Sequence, residues 1–187
     1  RMLIIEAGIA CLSKYGYAQT SMHLIAKEAN LSRGPLHYHF ADKNELMGAI
    51  AEHLPQKISE ATLRRLRRAK SIEQKVTTLI DIGLEQHLGE HHLVAIDLLA
   101  AARRDSALSA AIMPHISAGE RAVDEWWAGF GRDLGWSDQK MRAFRTVFVA
   151  ALRGLALDYS RQTHDKNHQL ASSVLKQMLL DFAFKDL

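Results

Sequence analysis

The residues best suited to chemistry lie between Thr20 and Lys43. Ser32-Arg33-Gly34-Pro35-Leu36-His37-Tyr38-His39-Phe40 puts one guanidinium, two imidazoles and a phenol within a single short segment. Leu36 and Phe40, four residues apart, share one helical face, which leaves Arg33, His37, Tyr38 and His39 on the rest. Such a face suits hydrogen bonding to a regular polar surface. The arginine fork can pair with two acceptors on guanine, and histidine or tyrosine can donate to phosphate or touch a thymine methyl. Lys43, at the start of the next segment, adds a cation beside a helix N-terminus, where phosphate is favoured. Lys and Arg number five in residues 1–54, as do Asp and Glu, so any attraction to phosphate is local.

Positioning these side chains requires a rigid corner. Ile5, Ile9 and Leu12, with Ala7 and Cys11, predict a first helix over Leu3–Tyr15, with Gly16 as its stop. Thr20-Ser21 offers a hydroxyl cap to a short second helix carrying Met22, Ile25, Ala26 and Ala29. Asn30 tolerates the left-handed conformation, Leu31 plugs the core, and Ser32 can cap a third helix over 33–40, with Pro35 harmless in its first turn. Residues 21–40 therefore predict a helix-turn-helix, whose second helix fits the roughly 12 Å major groove of duplex DNA. A corner of this shape also occurs in helical cores away from DNA.

The rest of the 187-residue chain reads as helix. Asp42 caps a fourth helix with Leu46, Ile50 and Leu54 inward, interrupted at Pro55 and resumed over 56–70. Ser71 caps a helix to about Leu88, Glu90–Arg103 forms the next, and Asp105–Leu134 follows with a kink near Pro114. Two long helices, Asp138–Gln162 and Lys166–Phe184, complete about nine in an all-α fold. Hydrophobic residues at 48% and charged residues at 24% exclude disorder, and three prolines leave long helical stretches uninterrupted. The formal charge of +3 permits a nucleic-acid partner without establishing one.

The N-terminal pattern resembles the tetracycline-repressor (TetR) family of bacterial transcriptional regulators. The resemblance covers residues 4–46: Ile4-Ile5-Glu6-Ala7, Tyr15-Gly16-Tyr17, Thr20-Ser21-Met22, Ile25-Ala26, Ala29-Asn30-Leu31-Ser32, Arg33 to Phe40, and Lys43-Asn44-Glu45-Leu46. His37 stands where the family usually has tyrosine, and Asn30 where it usually has glycine. The resemblance implies DNA-facing roles for His23, Ser32, Arg33, Gly34, Pro35, His37, Tyr38, His39 and Lys43, with Thr20 or Ser21 near a phosphate. It also implies a DNA-binding domain over 1–48 and a ligand-binding and dimerisation domain over 49–187. The expected function is a repressor that binds a two-fold operator in double-stranded DNA as a homodimer and is released by a small-molecule inducer. The alternative is a helical ligand-carrier or protein-interaction module without sequence-specific DNA binding.

Apolar residues in excess of one stripe on the last two helices predict the dimer interface: Phe144, Phe148, Ala151 and Leu155 on one, Val174, Met178 and Phe182 on the other. Val147 and Leu170 belong to the same faces, and Ala150 and Gly154 allow close approach. For the inducer, Met113, Trp126, Trp127 and Phe130 can line an apolar cavity, with Asp97 as an orienting carboxylate. An internal partner for Asp97 is the preferred explanation. His87, His91 and His92 suggest a metal, but Gly89 breaks the helical spacing, so no metal and no cofactor are expected. Arg64 to Lys70 reads as a solvated basic face. No nucleophile elbow, phosphate loop or dinucleotide fingerprint is present, so an enzyme is not expected. Arg1 is read as following a short missing start. No signal-peptide succession and no apolar run near 18 residues is visible, so a cytoplasmic protein that does not enter membranes is expected. Cys11 reads as core.

Overall fold

The computed structural model describes residues 1–54, 59–159 and 165–185, with the side chains of residues 33, 122, 165 and 166 left aside. Within them lie ten helices and no strand: α1 (Met2–Gln19), α2 (Met22–Glu28), α3 (Arg33–His39), α4 (Lys43–His53), α5 (Glu60–Arg68), α6 (Ile72–Gln86), α7 (Glu90–Ala102), α8 (Ser106–Asp133), α9 (Asp138–Tyr159) and α10 (Asp165–Phe184). Caps set the boundaries. Ser21, Asp42, Ser59 and Ser71 each accept a backbone N–H two or three residues into the helix they start, at 2.9–3.2 Å. Pro55, the expected breaker, lies outside the described residues; α5 starts afresh at its own serine cap.

The chain divides into two compact units, and not at a single point. One unit comprises Arg1–Gln56 and Gly89–Ala122, the other Lys57–Leu88 and Val123–Leu187. Helix α7 and the first half of α8 therefore pack with α1 to α4, whereas linear reading assigns them to the second domain. The first unit's core joins Ile4, Ile9 and Leu12 of α1 to Ile25, Leu36, Phe40, Leu46 and Ile50, and closes on Val94, Leu98, Leu108 and Ile112. Burial of Leu36 and Phe40 contributes about 1.5–3 kcal/mol each and fixes which side of α3 faces outward. The second unit is built on Val76, Leu79 and Ile80 of α6 against Trp127, Phe130, Phe144, Phe148 and Leu179. Its α6 and α9 approach so closely that a Cβ at Gly83 would lie 2.3 Å from Phe148 Cζ.

Two backbone expectations differ in detail. The break at Gly16 is real, with φ at 73°, but one further turn, Tyr17–Gln19, follows it. Helix α8 continues through Pro114 to Asp133, because the residues around it keep helical geometry. Asn30 takes the left-handed conformation at φ 53°, as the turn requires.

Candidate nucleic-acid interface

Helices α2 and α3 form the corner. Ala29 and Leu31 return their backbone N–H groups to Ile25 and Ala26, closing the turn at 2.9 Å. With Leu36 and Phe40 buried, α3 exposes Gly34, Pro35, His37, Tyr38 and His39, and Ser32 is exposed at its start. Tyr38 is 86% exposed, its ring edge-on to His39 with centroids 5.1 Å apart. An aromatic residue so open on a core-backed helix has no folding role; it is available to a partner. A Cβ on Gly34 would meet nothing within 4 Å. His23, Lys27, Asn30 and Ser32 border an open groove of about 470 Å³ beside the turn.

One expected contact belongs to the fold instead. Thr20 is only 2% exposed, and its hydroxyl donates to the Gly16 carbonyl at 2.7 Å, tying off the break in α1. Ser21 is exposed and accepts from Leu24 N–H as the α2 cap. Lys43 is half-buried: its ammonium donates to the Tyr17 carbonyl at 2.7 Å and sits 3.8 Å from the centre of the Tyr17 ring. Burial pulls its pKa below the usual lysine value, against the fields of Asp105 and Asp97.

Sequence reasoning singled out Asp97 but not its purpose. Its Oδ2 accepts the Tyr17 N–H at 2.5 Å and lies against Gly16, which partners the half-buried carboxylate within the first unit. Asp105 was read only as the start of a helix. It caps α8 through Leu108 N–H at 2.9 Å and also accepts the Tyr17 hydroxyl at 2.9 Å. The Leu108 and Tyr17 hydrogen bonds hold its carboxyl below the ordinary range. Burial, then Asp105, pushes the Tyr17 phenol up to about 12. The signal for this cluster was Gly16: a positive-φ break frees a peptide N–H that something must satisfy.

The residues expected to line an inducer pocket come from both units. Asp97 and Met113 belong to the first unit, Trp126, Trp127 and Phe130 to the second. Trp127 and Phe130 are packed core, with Trp126 stacked on Phe130 at 5.1 Å and Trp127 against Phe144 and Phe148 at 6.3 and 6.0 Å. Trp127 and Met141 also floor a cavity of about 260 Å³ rimmed by Arg132, Arg142 and the Asp124–Arg145 ion pair.

The interface residues also sort by burial. Phe144 and Phe148 are 1% and 3% exposed, so they hold the second unit together and face no partner. Ala151, Leu155 and Phe182 are half-buried. Of the residues on the expected faces, Val147 on α9 and Leu170, Val174 and Met178 on α10 are exposed, Leu170 at 65% and Met178 at 64%. The outward register of α9 is thus Val147, Ala150, Ala151 and Gly154, one position away from the expected aromatic pair. His87 meets His168, with Nε2 atoms 3.0 Å apart, while His91 lies beside His53 in the other unit. Among the described residues no group of three or more His, Cys, Asp or Glu could hold a metal ion. Arg65 and Arg67 of the basic run pair with Glu85 and Glu60. Cys11 is fully buried, and burial raises its thiol pKa.

Residues 4–50 match the model of the bacterial regulatory proteins, tetR family. The transcriptional regulator CymR of Pseudomonas putida is 29% identical over 154 residues, 82% of this chain and 76% of that protein. Residues 4–50 thus carry the N-terminal domain of the tetR family. The regulator BetI of Proteus mirabilis (strain HI4320) is 33% identical over 73 residues, 39% of this chain and 36% of its own length, so that similarity is confined to part of each protein. Among solved structures, the TetR-like fold recurs in the transcriptional regulator FadR of Bacillus subtilis, in complex with stearoyl-CoA. It has a TM-score of 0.68 at 16% identity, covering 100% of this chain and 98% of that one. The protein is a DNA-binding transcriptional regulator. No helix among its described residues is long and apolar enough to cross a membrane.

Proposed function

We propose that the protein is a cytoplasmic repressor that binds a two-fold operator as a homodimer, with no catalytic role, and releases DNA when a small molecule occupies its C-terminal half. The observation that carries the reading is the exposed polar face of α3, with Tyr38 open to solvent over a buried Leu36–Phe40 backing. His37, Tyr38, His39 and Arg33 are assigned to the major groove, with Ser32, Gly34 and Pro35 at its lip; His23, Ser21 and Lys43 are assigned to flanking phosphates. Groove binding by one seven-residue helix is weak, and two copies about 34 Å apart read successive major-groove faces. The exposed Val147–Gly154 and Leu170–Met178 faces support a four-helix contact between two chains. Ligand control is supported by the stearoyl-CoA complex of the Bacillus subtilis relative in fold; a ligand that prefers one dimer geometry shifts the population away from the DNA-bound one.

The test is selection from a library of random duplexes with the full chain, followed by thermal-shift screening of small molecules in the presence of the selected duplex. Recovery of an inverted repeat, and of a compound that both stabilises the protein and releases that duplex, is expected. Enrichment of no sequence would reject the proposal.

A further inference from the structure

Tyr17 is used in four ways at once. Its peptide N–H, freed from helical bonding by the positive φ of Gly16, is given to Asp97 of α7 at 2.5 Å. Its carbonyl accepts from the Lys43 ammonium at 2.7 Å, and its ring lies 3.8 Å beneath that ammonium. Its hydroxyl donates to Asp105, the cap of α8, at 2.9 Å. Lys43 is the first residue of α4, three positions beyond Phe40, where α3 ends. Nothing in a three-helix DNA-reading module requires these two carboxylates, which come from helices far along the chain. Through one aromatic residue they fix where the cation beside the recognition helix stands.

We infer that Tyr17, clamped by Asp97 and Asp105, is a positioning residue for DNA binding: it sets the Lys43 ammonium and the α3–α4 turn, so that duplex affinity depends on α7 and on the α8 cap. The inference rests on the proposed phosphate contact of Lys43. A lysine ammonium has three donors, and the Tyr17 carbonyl takes one, which leaves two for an anion. The ring and carbonyl also remove the rotamer freedom that a solvent-exposed lysine would lose on binding phosphate. Release of either carboxylate, as when α7 or the start of α8 shifts, frees Tyr17 and with it the lysine. Because α8 is one helix whose residues from Val123 onward belong to the second unit, the clamp also lies on a continuous element shared by both units.

The experiment measures binding of the full chain to its library-selected duplex by fluorescence anisotropy at several salt concentrations. Tyr17→Phe keeps the ring and the peptide bonds and removes only the bond to Asp105. Asp105→Asn, which can still cap α8, weakens the same bond from the other side. Both are expected to bind roughly 5-fold more weakly, with the salt slope reduced by about one phosphate contact. In a Lys43→Ala background, Tyr17→Phe should change affinity less than about 2-fold, because its effect passes through the lysine. Unchanged affinity and slope in both single variants, or an equal loss with and without Lys43, overturns the inference while leaving the DNA-binding reading intact. Failure of the unaltered chain to select any duplex sinks both.

Discussion

Met178→Glu should convert the protein from two subunits to one without unfolding it. Met178 is 64% exposed on α10, in line with Leu170 and Val174, so its substitution removes little from the monomer. Full burial of such a side chain contributes about 1.5–3 kcal/mol, of which roughly 1 kcal/mol per subunit remains to be gained at an interface. The glutamate carboxylate would then have to leave water in both subunits, since a two-fold contact repeats every change, at several kcal/mol per ion. Together the loss is on the order of 8 kcal/mol, more than five decades in the dissociation constant. Light scattering after gel filtration at micromolar protein should give the 21.0 kDa mass of one chain, against twice that for the unaltered protein, with circular dichroism unchanged. Phe148→Glu is the contrasting case: its ring is sealed between α6, α8 and α9, so it should lose helicity and thermal stability. A Met178→Glu protein that still runs as two subunits would refute the assignment of this face, whatever Phe148→Glu does.

Other substitutions test the DNA-facing unit and the histidine pair. Tyr38→Ala should leave the melting temperature within about 2 °C, the surface effect being within about ±0.5 kcal/mol, yet weaken binding to the selected duplex by about 1–3 kcal/mol in anisotropy titrations. Arg33→Ala should cost a similar amount and relax sequence preference at one base pair, seen by repeating the selection. A Cβ at Gly48 would lie 3.0 Å from the Ala111 carbonyl oxygen, a backbone atom that cannot turn aside. Gly48→Ala should therefore destabilise by about 1–3 kcal/mol in urea unfolding. Burial holds the His87 pKa below its ordinary 6.5, so the unfolded chain takes up a proton first as pH falls. Stability is then full above 6.5 and declines on acidification until pH passes the depressed folded value. His87→Gln should flatten that part of a pH series of thermal melts.

The helix-turn-helix was legible because every device in it is local. Ser21 and Asp42 cap within three residues, Asn30 bends the turn, and Leu36 and Phe40 mark the inner face by their spacing alone. The second unit was less legible for a physical reason. On α9, apolar residues occupy both Phe144–Phe148 and Val147–Ala151, and period alone cannot say which stripe the monomer uses; volume decides, since the aromatic rings fill the space against Gly83 and Trp127. Composition alone groups Asp97 with Trp126, which fall in separate units that interleave along the chain. The Tyr17 cluster joins residues 80 and 88 positions apart, and no local pattern announces such pairs. His87 was noticed for its neighbours His91 and His92, yet its partner is His168.

Selection of duplexes from a random library by the full-length protein tests the central claim most directly. Two inverted half-sites separated by about one helical turn are expected, both protected when the duplex is cleaved by hydroxyl radicals in the presence of protein. A single unrepeated half-site, or a pool that stays random after successive rounds, would contradict it.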